Sequence, residues 1–159
     1  MGTIFKFHTD VDTDQIIASQ YLLFPTIDEM KTHTFESLDP DFASKVKPGD
    51  FVVAAENFGC GSSREQAPSV LKALGVRAVI AKSFARIFYR NAINIGLPIL
   101  ECAAASEDID AGDEVNVNFD TGVITNITKG KTYNAEPFPE FIQDIISAGG
   151  LMASIGKDE

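Results

Sequence analysis

The chain has 159 residues, 45% of them hydrophobic and 23% charged, with 13 basic against 23 acidic side chains and a net charge of −10. That length fits one domain over residues 1–159, which should bury roughly two-thirds of its unfolded surface and fold without a disulfide or structural metal. The acidic balance argues against nucleic acid or an anionic membrane as partner, because phosphate binding needs clustered Lys and Arg; a small anionic substrate would have to meet a local positive site. Apolar runs such as Phe51 to Ala55 fall far short of the roughly 20 residues that span a bilayer. Met1 to Asp10 has no basic region followed by an apolar core, so no signal peptide is expected. Cys60 and Cys102 form no CxxC pair. This argues against a zinc ribbon or an iron–sulfur cluster held by this chain alone, and it suits a reducing cytoplasm.

In chain order, Ile4 to Phe7 alternates apolar and polar as a short strand does. Thr9 to Gln15 reads as an acidic loop without the spacing or central glycine of an EF-hand. Gln15 to Phe24 turns apolar and stops at Pro25; Asp28 to Ser37 is a weak helix candidate. Asp39-Pro40 and Lys47 to Asp50 are turns. Phe51 to Ala55 is a buried strand, followed by a glycine-rich loop, Asn57 to Gly61, and a helix over 62–74 that stops at Gly75. Ala78 to Ala81 is a second buried strand. Ser83 is expected to cap a helix over 84–95, which ends at Gly96, and Leu97 to Leu100 is a third strand. Strand–helix–strand–helix–strand implies right-handed crossovers and a mainly parallel sheet. The period then changes: Val115, Val117 and Phe119 alternate with polar residues, Asp120 to Gly122 turns, and Val123 to Ile127 returns as an antiparallel hairpin. Glu140 to Ala148 is expected to form a short amphipathic helix, and the tail from Gly156 to fray.

The informative stretch is Gly59-Cys60-Gly61-Ser62-Ser63-Arg64-Glu65-Gln66. Arg64 rules out the GxGxxG fingerprint, and no Lys-Ser/Thr follows at P-loop spacing. What remains is a glycine turn that brings backbone N–H groups, two hydroxyls and a guanidinium together at a helix start, a combination suited to a carboxylate. Both Ser62-x-x-Glu65 and Ser63-x-x-Gln66 also match a capping box, and capping alone would account for the serines. It does not account for the glycines around Cys60, or for an Arg where the helix dipole disfavours a cation.

This loop, together with Ser83-Phe84-Ala85-Arg86-Ile87-Phe88, Asp12-Thr13-Asp14-Gln15-Ile16-Ile17, Phe138-Pro139 and Ala148-Gly149-Gly150-Leu151, resembles the small subunits of 3-isopropylmalate dehydratases, the equivalents of the aconitase swivel domain. The resemblance covers nearly the whole chain. It implies an α/β fold, a swivelling β/β/α three-layer domain with a mainly parallel central sheet and an additional antiparallel hairpin. It implies a cytoplasmic hydro-lyase of leucine biosynthesis, made of two subunits, with a [4Fe–4S] cluster held by a large partner subunit and no metal on this chain. By the same resemblance Ser62 is the catalytic base, acting as an alkoxide, and Ser63 and Arg64 hold a substrate carboxylate. If Ser63 caps the helix with Gln66, Ser62 is left free to react.

Tyr21-Leu22-Leu23-Phe24 occupies the loop in which relatives read the substituent on the third carbon of the malate. Homoaconitase-like members carry Arg at the position of Leu23, so Leu23 and Phe24 point to an alkyl group; read alone, both pass for core residues. The segment departs from the commonest isopropylmalate pattern, which puts 2,3-dimethylmalate or citramalate/citraconate in play; a related hydro-lyase of one of these types, or of homoaconitate type, is the alternative. A non-catalytic anion-binding module is the alternative of another class. Arg86 and Arg90 face the cleft, the partner or solvent. Asp12 and Asp14 order the first loop through Asx-type bonds, and His8 and His33 read as structural. Cys60 reads as a small residue beside the site and not as a nucleophile.

Overall fold

The computed structural model describes residues 2–135 together with Asp144 and Ile145. The helix expected over 140–148 and the motifs at 138–139 and 148–151 lie outside the described residues.

Four strands form the parallel half of the sheet: β1 (Gly2–Lys6), β2 (Phe51–Val53), β3 (Ala78–Ala81) and β4 (Ile99–Glu101). They lie in the order β4-β3-β2-β1, with Phe5 opposite Val52, Val52 opposite Val79 and Ile80 opposite Leu100. Every residue of β2 and β3 is buried. This is why they read as unbroken apolar runs rather than as alternation: a parallel sheet is covered on both faces. The other half is a meander, β5 (Glu114–Asn118), β6 (Val123–Asn126) and β7 (Lys131–Asn134), joined to β1 through antiparallel pairing with β5. β1 is therefore the seam of a seven-stranded mixed sheet. The expected hairpin is present, and β7 extends it; Lys131 to Asn134 is polar and short, so its sequence carries little strand signal.

Two longer helices make the crossovers, α4 (Gln66–Ala73) and α5 (Arg86–Ile95). α4 buries Ala67, Pro68, Val70 and Leu71. Pro68 is tolerated because first-turn amides have no intrahelical acceptor to lose. α5 buries Phe88, Ala92 and Ile93 and ends on Gly96 at φ +82°, the left-handed stop that only glycine adopts freely. Both helices start later than their sequence implies. Glu65 is the N-cap of α4 and Ala85 that of α5, and neither receives a side-chain cap. Ser62 and Ser63 are therefore not caps, and the Ser83 hydroxyl instead accepts the Asn57 N–H at 2.8 Å.

Short elements fill the remainder: α1 (Thr13–Ile16), a 3-10 turn at Ser19–Leu23, α2 (Ile27–Met30), a 3-10 turn at Lys31–His33, α3 (Phe42–Lys45) and α6 (Ala103–Asp108). Each is a single turn or little more, below the length at which periodicity declares a helix. Asp12 caps α1 in a reciprocal box with Gln15, the Asx role expected of it.

Candidate active site

The loops leaving the carboxyl ends of β1 and β2 meet beyond the sheet, where open α/β sheets generally place their ligands. The chain passes from β2 into Asn57, which takes φ +59°, then into Gly59 and Gly61 at φ +84° and +92°. Gly59 is required for space as well as for its angle, because a Cβ there would lie 2.2 Å from Cγ of the buried Phe88. Gly61 has ordinary clearance, 3.5 Å to its neighbours, so only its backbone angle asks for glycine.

The first loop buttresses the second. Gly59 N–H donates to the Val11 carbonyl at 2.7 Å, and Thr13 N–H to the Cys60 carbonyl at 2.8 Å. Thr13, only 3% exposed, donates its hydroxyl to the Ser62 carbonyl at 2.8 Å. Ser62 and Ser63 are exposed, and neither hydroxyl has a hydrogen-bond partner among the described residues. Within those residues the backbone N–H groups of Gly61 to Gln66 also find no acceptor, so six consecutive amides are left without a partner there. Ser62 lies four residues ahead of the first helical residue, so its neighbours in sequence are loop amides rather than those of the first turn of α4.

Arg64 is the positive group of the site, and its side chain is only 16% exposed. Its Nη1 donates to Asp14 Oδ1 at 3.1 Å and to the Ile17 carbonyl at 3.2 Å. Both protons of Nη1 are thus engaged. The Nε–Nη2 edge, which binds a carboxylate side-on, is unengaged among the described residues. Asp14 Oδ1 also accepts the Ser19 N–H at 3.2 Å, which ties the following 3-10 turn to the same anchor. Thr13 and Asp14 are the residues that sequence reasoning undervalued. Their acidic, hydroxyl-rich segment signals a loop, and nothing in the linear order says that the loop folds back onto Ser62 and Arg64.

At the other expected positions, Leu23 is 87% exposed, which removes the reading of it as core, and Phe24 is half-buried. Arg86 and Arg90 are exposed and form no ion pair among the described residues. His33 is hydrogen-bonded to Glu36. Cys60 is half-buried; burial first, then the nearby Asp10 and Asp12, pushes its thiol up, so it stays protonated at neutral pH and is a poor nucleophile or metal ligand. Among the described residues no group of three or more His, Cys, Asp or Glu is placed to hold a metal ion, and no helix is long and apolar enough to cross a membrane. An open groove of about 870 Å³ runs along β1, lined by residues such as Phe5, Phe7 and Leu38, and borders none of the 59–65 loop.

Residues 8–105 match the family described as Aconitase C-terminal domain. The 3-isopropylmalate dehydratase small subunit of Clostridioides difficile is 60% identical over 97% of this chain and 94% of its own length. The 2,3-dimethylmalate dehydratase small subunit of Eubacterium barkeri is 56% identical over 99% and 97%. The crystal structure of a 3-isopropylmalate dehydratase chain from Methanocaldococcus jannaschii superposes with a TM-score of 0.94 at 46% identity, covering 99% of this chain and 93% of that one.

Proposed function

The chain belongs to the aconitase C-terminal domain family, and from that membership we propose that it is the small subunit of a two-subunit hydro-lyase, a 3-isopropylmalate dehydratase. The reaction interconverts 2-isopropylmalate and 3-isopropylmalate by loss and return of water, in leucine biosynthesis. The observation that carries the reading is the conjunction at the loop: two hydroxyls and an Arg carboxylate-binding edge that have no partner among the described residues, on a chain that matches dehydratase small subunits over almost its whole length.

In this reading a substrate carboxylate docks on the Nε–Nη2 edge of Arg64 and the Ser63 hydroxyl. Pairing the carboxylate matters because the neighbouring C–H becomes acidic only if the charge that spreads onto the carboxylate is stabilised. Ser62 then takes that proton as an alkoxide, held by the open amides of its loop and the Arg64 charge. Asp14 and the Ile17 carbonyl fix the guanidinium, and Thr13 fixes the Ser62 backbone. Leu23 and Phe24 face the alkyl substituent. The departing hydroxyl needs a Lewis acid for which this chain's described residues offer no ligand set. That part is assigned to a [4Fe–4S] cluster on the large subunit, across a cytoplasmic heteromeric cleft.

A 2,3-dimethylmalate dehydratase is the second reading, favoured by the 56% identical relative of that name. Kinetics on a panel of alkyl malates separate the two. The purified chain alone should be inactive. Mixed with the cluster-loaded large subunit it should act best on isopropylmalate; a higher kcat/KM for dimethylmalate selects the second reading. A saturating partner that yields no turnover on any malate refutes the hydro-lyase reading.

A further inference from the structure

The 3-10 turn that carries Leu23 fully buries none of its own side chains; Tyr21 and Leu22 pack on the core only in part. Further tethers matter, because a pocket wall sorts alkyl groups only if it keeps a fixed distance from the carboxylate anchor. One tether is Ser19, whose N–H shares Asp14 Oδ1 with Arg64. The other is a side-chain cluster that the reaction does not use. The Tyr21 ring lies flat on the His33 imidazole, 3.8 Å between centroids and 7° between planes. The Tyr21 hydroxyl donates to Glu36 Oε1, and His33 Nδ1 lies 2.5 Å from Glu36 Oε2. Phe24 packs obliquely on both rings, at 5.8 Å from Tyr21 and 5.6 Å from His33.

The platform beneath this cluster is packed into the core. Phe35, between His33 and Glu36, is fully buried with φ +57°, a left-handed backbone that a bulky residue adopts only when its surroundings demand it. Its ring stacks on Phe7 at 4.2 Å and meets Phe42 edge-on at 4.9 Å, while its N–H donates to the Ile16 carbonyl at 2.9 Å. Ile16 precedes Ile17, whose carbonyl holds Arg64. A cavity of about 270 Å³ is lined by Asp14 together with Tyr21, His33 and Glu36. The Leu23 turn and the Arg64 anchor therefore stand on one base.

We propose that Tyr21, His33 and Glu36 form a clamp that sets the spacing between the Leu23 turn and the Arg64 carboxylate site, and that they are thereby positioning residues for selection of the alkyl group on a malate substrate. The proposal rests on the reading of Leu23 as substrate-facing. The carboxylate of Glu36 serves both partners, with the Tyr21 hydroxyl as the larger of two influences that hold it below the usual carboxylate range and His33 as the second. It is ionised at neutral pH and accepts from Tyr21 and from His33 Nδ1–H.

Tyr21→Phe deletes the hydroxyl and keeps the ring; Glu36→Gln keeps the shape and drops the charge. In the reconstituted two-subunit enzyme each should lower the kcat/KM ratio of isopropyl- over methyl-substituted malate about ten-fold, the scale on which a pocket resolves a methylene or two. The loss should appear in KM for the isopropyl substrate, with kcat on the methyl substrate within about two-fold of the parent. In the isolated chain, hydrogen exchange at residues 21–24 should quicken by about five-fold or more while β3 stays protected. An unchanged ratio, or an equal loss on every substrate, overturns the proposal, as does faster exchange with the ratio unmoved, since the clamp would then have no part in selection. Inactivity of the unsubstituted pair on every malate is a different failure: it brings down the proposed function, and the clamp's role with it.

Discussion

Adding one methyl group at Gly59 and at Gly61 separates two kinds of glycine in the same loop. Both have positive φ, +84° and +92°, and the left-handed region costs an L-residue roughly 1–2 kcal/mol. At Gly61 that is the whole cost, because the new Cβ would sit 3.5 Å from Asp12 Cβ and Thr13 Oγ1, an ordinary contact. At Gly59 the Cβ would fall 2.2 Å from Phe88 Cγ and 2.4 Å from Phe88 Cβ. Phe88 cannot yield, since its ring lies edge-on to Phe58 at 5.1 Å and is stacked on Phe84 at 6.2 Å. Overpacking of this kind costs roughly a further 1–3 kcal/mol. Gly61→Ala should thus lose about 1–2 kcal/mol and Gly59→Ala about 2–5 kcal/mol. At about 3 °C per kcal/mol for a chain of this size, thermal melting resolves the difference, and urea midpoints check it independently. Any folded Gly59→Ala protein should also lose activity with the partner, because the move that relieves Phe88 pulls Gly59 N–H from Val11 and shifts Ser62. Equal destabilisation by the two variants, or a greater loss from Gly61→Ala, would refute the assignment of Gly59 as the packing glycine.

Ser62→Ala should abolish turnover yet leave stability within about 0.5 kcal/mol, since the side chain is exposed and caps nothing; near-normal rates would remove Ser62 from the mechanism. Thr13→Val keeps the buried volume and loses the bond to the Ser62 carbonyl, so melting should show about 1 kcal/mol of destabilisation and the assay a larger, roughly 10–100-fold, fall in kcat; a rate change no greater than the stability change would make Thr13 merely structural. Leu23→Arg should shift preference from alkyl malates toward substrates with a third carboxylate without loss of stability, because Leu23 is 87% exposed; equal loss on all substrates would count against it. The Asp113 carboxyl is held below its usual range, first by the Asp110 N–H and then by the Asn126 amide, so its contribution is complete above the unfolded value near ~3.9 and fades as pH falls through the folded one. Asp113→Asn should be less stable than the parent at pH 7, with the gap in urea midpoint closing below about pH 4; a gap that is constant with pH would show that charge is not what matters there.

Local causes made part of this protein readable from residue order. Buried parallel strands need unbroken apolar runs, so β2 and β3 were legible, and Gly96 could end α5 because only glycine adopts the left-handed stop freely. The 59–65 loop announced itself through residue types that no plain turn requires, and its likeness to dehydratase small subunits extended from there across nearly the whole chain. Tertiary structure alone decided what the loop leans on. Helix starts moved from Ser62 to Gln66 and from Phe84 to Arg86, because the loop backbone is committed to contacts distant in sequence: Gly59 to Val11, Cys60 to Thr13, Phe58 to Ser83. Those bonds carry no periodic signal. Asp14 became the partner of Arg64 across fifty residues, and Tyr21, His33 and Glu36 met on one face only because a buried phenylalanine was driven into a left-handed turn. Spacing along a chain reports neighbours within an element; which loops close on one another depends on how the sheet orders its strands, and that is settled by the packing of the whole.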